Sequence, residues 1–126
     1  MNNEHILDES DFLVSQTDQK GIITFANHDF CKVSGYDLHE LIGEPHSILR
    51  HPDMPKTAFK ELWETVTSGK VWSGYVKNRT KDKKFYWVYA MVYPTHMNGE
   101  LSYISCRRKP NPEEIKTATE LYKTLS

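Results

Sequence analysis

Three β-rich segments follow one another in the second half of the chain, at residues 71–79, 85–95 and 101–108, with very short links between them. Parallel neighbours need a crossover of about a dozen residues or more, so these segments must pair antiparallel. The first link is the polar turn Thr80 to Lys84. The second is centred on Asn98-Gly99, a strong hairpin signal. A shorter pair precedes them: residues 12–17 and 22–26 read as strands joined by the turn Asp18-Gln19-Lys20-Gly21.

Between the two sets the pattern turns helical. Phe30, Val33 and Ser34 suit a short helix ended by Gly35, and residues 37–41 make a further turn before Gly43. Residues 44–54 hold two prolines and little periodicity, which predicts a loop or isolated helical turns. The clearest helix carries Ala58, Phe59, Leu62, Trp63 and Val66 at helical spacing, with Asp53 as its N-cap, Pro55 in its first turn and Gly69 at its end. Two strands, several short helices and three strands predict an α+β fold: a five-stranded antiparallel sheet with short helices on one face. At the C-terminus Asn111-Pro112-Glu113-Glu114 forms a capping box, and Ile115, Ala118, Tyr122 and Leu125 follow at seam spacing. Such a helix either lies on its own domain or serves as an output or dimerisation helix. The expected division is therefore an N-terminal cap or tail at 1–11, a domain at 12–109 and a C-terminal helix at 110–126.

Charge and composition narrow the function classes. The 126 residues carry a formal net charge of −1, so no nucleic-acid footprint or membrane-surface patch is expected. No apolar run approaches the ~20 residues of a membrane span, and the polar, acidic start is unlike a signal peptide. Cys31 and Cys106 form no metal or redox spacing, which reads as a cytoplasmic chain with free thiols. No nucleophile elbow, phosphate loop, dinucleotide fingerprint or zinc-protease motif occurs, so no enzyme is predicted. The six histidines are scattered.

Two constellations carry chemistry. Alternation in 71–79 puts Trp72, Gly74, Val76 and Asn78 on one face and Val71, Ser73, Tyr75, Lys77 and Arg79 on the other. The cations mark the second face as solvated, so the first points inward and ends in an amide that needs partners. Gly74 leaves room there for a flat group or a close backbone approach. An amide, a glycine and an indole suit an aromatic ligand with hydrogen-bonding edges, or else Asn78 bonds nearby loop backbone and Trp72 fills core. The second constellation is His46, Arg50, His51 and Asp53. It admits three readings: a metal site, a structural cap with Arg50 paired to an acid, or an anion or cofactor site built on the planar guanidinium.

Taken together, these segments resemble the PAS family. The first half of the resemblance is Asp18-x-x-Gly21-x-Ile23-x-x-Ala26-Asn27-x-x-Phe30, followed by Ser34-Gly35-Tyr36 and Glu40-Leu41-Ile42-Gly43. The sharper half is Gly43-x-Pro45-His46-x-x-x-Arg50-His51-Pro52-Asp53-Met54-Pro55, then Trp72-Ser73-Gly74-x-Val76-Lys77-Asn78-Arg79 and Tyr86-Trp87-Val88. That half resembles the sensor domain of bacterial aerotaxis receptors. The resemblance implies a PAS fold, non-covalent FAD, a redox or indirect oxygen-sensing role and output to the chemotaxis machinery through a receptor's signalling domain. It implies a pocket drawn from Asn27, His46, Arg50, His51, Asp53, Trp63, Trp72 and Asn78. It also implies association with the inner membrane through a receptor, as an excised domain or a separate short protein, and a homodimer is compatible with it. The light-sensing branch carries an adduct-forming cysteine where this chain has Glu44-Pro45-His46-Ser47, so light-driven adduct chemistry is not expected. FMN, and haem held by an axial His46 or His51, are the alternative cofactors; a cofactor-free interaction module is the alternative role.

Overall fold

A computed structural model describes residues 4–97 and 99–124, without the side chain of Met97. The strands are β1 (Phe12–Thr17), β2 (Ile23–Ala26), β3 (Trp72–Arg79), β4 (Phe85–Met97) and β5 (Glu100–Arg108). They form one antiparallel sheet in the order β2-β1-β5-β4-β3. The helices are α1 (His28–Ser34), α2 (Leu38–Leu41), α3 (Lys56–Thr67) and α4 (Pro112–Lys123), with a 3-10 turn at His46–Leu49. The sheet is the predicted one. Of the Asn98-Gly99 turn, Asn98 lies outside the described residues, and Gly99 has φ +82°, a value that favours glycine.

Alternation holds along every long strand. One face presents Leu13, Ser15 and Thr17 from β1, Trp72, Val76 and Asn78 from β3, Tyr86, Val88, Ala90 and Val92 from β4, and Tyr103, Ser105 and Arg107 from β5, all buried. Phe30, Val33, Leu41, Leu49, Leu62 and Val66 from the central helical segment pack against this face and complete the core.

Two local expectations are corrected. Helix α3 begins after Pro55, which takes the cap position without a side-chain bond; Asp53 instead turns outward and pairs with Lys77 at 2.8 Å. The space over Gly74 is filled by the indole of Trp72, since a Cβ at Gly74 would stand 2.8 Å from that ring. The C-terminal capping box is present: Asn111 accepts from Glu114 N at 2.8 Å, and Glu114 accepts from Asn111 N at 3.0 Å. Helix α4 lies on the outer face of its own sheet. Tyr122 donates to Tyr75 O at 2.5 Å and stacks on Trp87, while Tyr75 OH donates to Glu114. Leu125 of the seam lies outside the described residues. The segment before β1 packs rather than trails: Leu7 is buried, and Asp11 pairs with Lys32 at 2.7 Å.

The segment 43–51 ties the two edges of the sheet together. At the β2 edge, Gly43 N donates to Ile23 O and Ile23 N to Glu44 O, while His46 N donates to Gly21 O. At the β3 edge, Arg50 bridges Asn78, and His51 N reaches Lys77 O at 3.4 Å. The side chains of His46 and Arg50 thus hang from a strap that runs from one edge of the sheet to the other.

Candidate functional site

Under this strap lies a cavity of about 260 Å³. Its floor is the polar middle of the inner face: Ser15 and Thr17 of β1, Tyr103, Ser105 and Arg107 of β5, Val92 of β4, and Val76 and Asn78 of β3. Ser15 and Ser105 are direct cross-strand partners, so the two hydroxyl-bearing positions sit side by side. The walls come from His46 and Arg50 on the strap and from Phe59, Leu62 and Trp63 on α3. The exposed residues Lys20, Pro45 and Ser47 mark the mouth.

Four of the eight residues singled out from the sequence line this space: His46, Arg50, Trp63 and Asn78. His46 donates to or accepts from Ser15 Oγ at 3.1 Å and packs edge-on against Phe30. The guanidinium of Arg50 lies 3.8 Å above the ring of Phe59; its buried Nε has no hydrogen-bond partner. Trp63 meets Tyr103 edge-on and walls the cavity on the α3 side. Asn78 is 3% exposed. With its amide oriented to satisfy both neighbours, Nδ2 donates to Leu49 O at 3.1 Å and Oδ1 accepts from Arg107 Nη1 at 2.6 Å.

The other four stand elsewhere. Asn27 caps α1 and bonds backbone, accepting from Phe30 N and Val14 N and donating to Phe12 O. His51 packs against Phe85, and its Nδ1 accepts from Asp53 N. Asp53 is held outside by Lys77. Trp72 is core beneath α3, folded over Gly74. The two imidazoles of the strap therefore diverge, and no group of three metal-type ligands occurs among the described residues.

The residue that sequence reasoning missed is Arg107. It is 5% exposed, donates from Nε to Ser105 Oγ at 2.7 Å, and reaches Asn78. Burial holds its pKa below the ordinary arginine value, yet a guanidinium stays charged at any physiological pH. Among the described residues no carboxylate pairs with Arg107 or Arg50. Desolvation, with the positive charge of Arg107 nearby, pushes His46 down to about 3, so its imidazole is neutral. Burial pushes Tyr86 up to about 12 against the opposing pull of Arg107. The cavity is thus lined by two guanidiniums without a carboxylate partner, Lys20 at the mouth, neutral donors and acceptors, and aromatic rings, with no acid among its lining residues. Its chemistry fits a flat, electron-rich or anionic ligand.

The neutrality of His46 has a measurable consequence. Its folded pKa lies below the ordinary 6.5, so above 6.5 both states are neutral and no stability is lost. As pH falls from 6.5 toward 3 the unfolded chain takes up a proton that the folded chain refuses, and stability declines. Carboxylates such as Glu114, held below its ordinary 4.5, contribute only lower in the range. Denaturant unfolding of wild type and His46→Gln between pH 6.5 and 4.5 should therefore show a steeper acid loss in wild type. Parallel curves would mean that His46 titrates normally.

Residues 23–107 match the family model described as the PAS fold, and the chain belongs to that family. Within it, the sequence is 49% identical over 115 residues to the aerotaxis receptor of Escherichia coli strain K12, a match covering 90% of this chain and 23% of the relative. It is 29% identical over 105 residues to a nitrogen fixation regulatory protein of Klebsiella pneumoniae, covering 82% of this chain and 21% of that one. The chain therefore spans less than a quarter of the length of these curated relatives. In fold it is similar to the light-state structure of the blue-light photoreceptor Aureochrome1 LOV, with a TM-score of 0.74 at 19% identity over 91% of this chain and 92% of the other.

Proposed function

We propose that this chain is a flavin-binding sensor domain that reports redox state, and through it oxygen, to a chemotaxis-type signalling partner. The observation that carries the reading is the acid-free cavity with two unpaired guanidiniums and an amide at its floor. The similarity to the aerotaxis receptor sets the biological direction. The residues fit the cofactor. A cavity of about 260 Å³ lies just below the ~300–1,000 Å³ of small-molecule sites, a size that suits a flat ring system. The remainder of a dinucleotide would leave by the mouth at Lys20 and Ser47, with Arg50 able to meet a diphosphate.

When bound, a flavin supplies reversible electron uptake, which also changes which ring-edge atoms donate and accept hydrogen bonds. The protein's part is to hold and to respond. Asn78, held by Leu49 O and Arg107, keeps a second Nδ2–H and a second Oδ1 lone pair, so it can offer a donor or an acceptor to the ring edge. Ser15 and Ser105 are rotatable hydroxyls on the same floor, and His46 presents a neutral ring. Strand β3 carries Asn78 on its inner side and Tyr75, bonded to α4, on its outer side. This gives a change at the cavity a short route to the terminal helix, the candidate output element. Among the described residues no carboxylate lines the cavity, and burial keeps His46 neutral, a lining suited to holding a ligand. The haem alternative is weaker, because His46 Nε2 is engaged by Ser15 and His51 stands outside the cavity. Among the described residues no helix is long and apolar enough to cross a membrane, and placement beside the inner membrane would come from a receptor partner.

Purified protein should be yellow, and heat-released ligand should run as FAD on chromatography. Recovery of FMN alone would overturn the FAD assignment. Haem or no chromophore after reconstitution with FAD would overturn the flavin reading.

A further inference from the structure

Two guanidiniums in one cavity need not do the same work, and their surroundings differ. Arg107 stands on the rigid floor, 5% exposed, between its cross-strand neighbours Leu13 and Ala90. Its position is fixed by Ser105 Oγ through Nε and by Asn78 through Nη1. Arg50 stands at the end of the 3-10 turn on the strap, half-buried, with its guanidinium over the Phe59 ring and Nε unbonded. It shares its wall with His46 and Ser47, and Ser47 is at the mouth. A ligand made of a flat ring and a charged tail, entering ring first, brings its ring to Arg107 and its tail to Arg50.

We propose that Arg107 is the ring-recognising, specificity-determining residue of the cavity, while Arg50 reads the anionic tail. The inference rests on the flavin reading and adds a division of labour to it. A buried guanidinium without a carboxylate is costly to the empty domain. A ring edge bearing carbonyl oxygens offers it charge-assisted hydrogen bonds that a tail held at the mouth does not supply. The cost in the empty state and the gain in the bound state have the same origin, so removing the charge moves both.

Riboflavin and FAD separate the two roles, because riboflavin has the ring and lacks the phosphates. Dissociation constants for both would be measured by fluorescence quenching on stripped wild type, Arg107→Met and Arg50→Met. Arg107→Met should weaken riboflavin and FAD by the same factor, on the order of ten- to a hundredfold. Arg50→Met should weaken FAD far more than riboflavin. Should Arg107→Met fail to fold, Arg107→Lys keeps the charge and loses the fork, and it too should weaken both ligands equally. Unchanged riboflavin binding in the Arg107 variants, or a loss confined to FAD, would overturn the assignment while leaving flavin binding intact. Wild type that binds neither ligand removes the flavin reading and this inference together.

Discussion

Asn78→Ala should lower both the stability of the empty domain and its affinity for flavin, and the two losses should be separable. In the folded chain Asn78 joins three elements: its own strand β3, the strap through Leu49 O, and β5 through Arg107. Truncation leaves a buried carbonyl and a buried guanidinium each short of one partner. A lost partner for a buried polar group costs about 1–3 kcal/mol, with the upper part of the range for charged groups. Stripped Asn78→Ala should therefore unfold at distinctly lower denaturant with an unchanged m-value. If the amide also meets the ring, affinity falls by roughly a further tenfold or more. Asn78→Asp tests the electrostatics from the opposite side. A carboxylate at this position would pair with Arg107, stabilise that cation in the empty domain, and take from the ligand the charge that it needs. It should bind flavin less well than Asn78→Ala does. An Asp variant that binds flavin as tightly as wild type would show that neither Asn78 nor Arg107 faces the ring.

The second large effect belongs to Gly74, whose role is set by its neighbour two residues away. An added Cβ would lie 2.8 Å from two ring carbons of Trp72, closer than carbon atoms approach without displacement. Trp72 is 6% exposed, so its indole has nowhere to go without moving the core under α3. Gly74→Val should cost about 1–3 kcal/mol or more by overpacking and change the near-ultraviolet signature of the tryptophans. Relief should come from shrinking the ring: Gly74→Val with Trp72→Leu should lose less than the sum of the two single variants, a coupling that a double-mutant cycle measures directly. Strict additivity would mean that the indole does not occupy this space.

How far the sequence could be read depended on whether one strand sufficed. The sheet followed from link lengths, and the inward face of β3 from its cations at Lys77 and Arg79, which do lie on the outer side. Applied to β5, the same rule gives no answer, because Arg107 and Arg108 stand on opposite faces of the strand. Only the pairing of β5 with β1 and β4 puts Arg107 on the buried face, and pairing is a long-range property that no local pattern contains. Asn27 is the opposite case. It stands where a helix begins, a position at which an Asn side chain serves the backbone, and three of its hydrogen bonds go there. His46 and Arg50 were legible as a cluster, but not which way each would face. That depends on the strap crossing from edge to edge, so that His46 and Arg50 hang inward while His51 and Asp53, just beyond, turn outward.

The strap has one more effect, on association between molecules. Outer strands of an open sheet are templates on which another chain can add a strand, and proteins suppress this by covering them. Here β2 is met by Gly43 and Glu44, and β3 by Arg50 and His51, with the carbonyl of Tyr75 taken by Tyr122. Both margins are interrupted, and the unpaired stretches that remain are short. Self-assembly through continuous sheet extension would require the strap to peel away and the cavity to open with it. Apolar side chains that remain exposed include Phe12, Phe25, Met91 and Leu121, and the strap that roofs the cavity doubles as the lock against polymerisation.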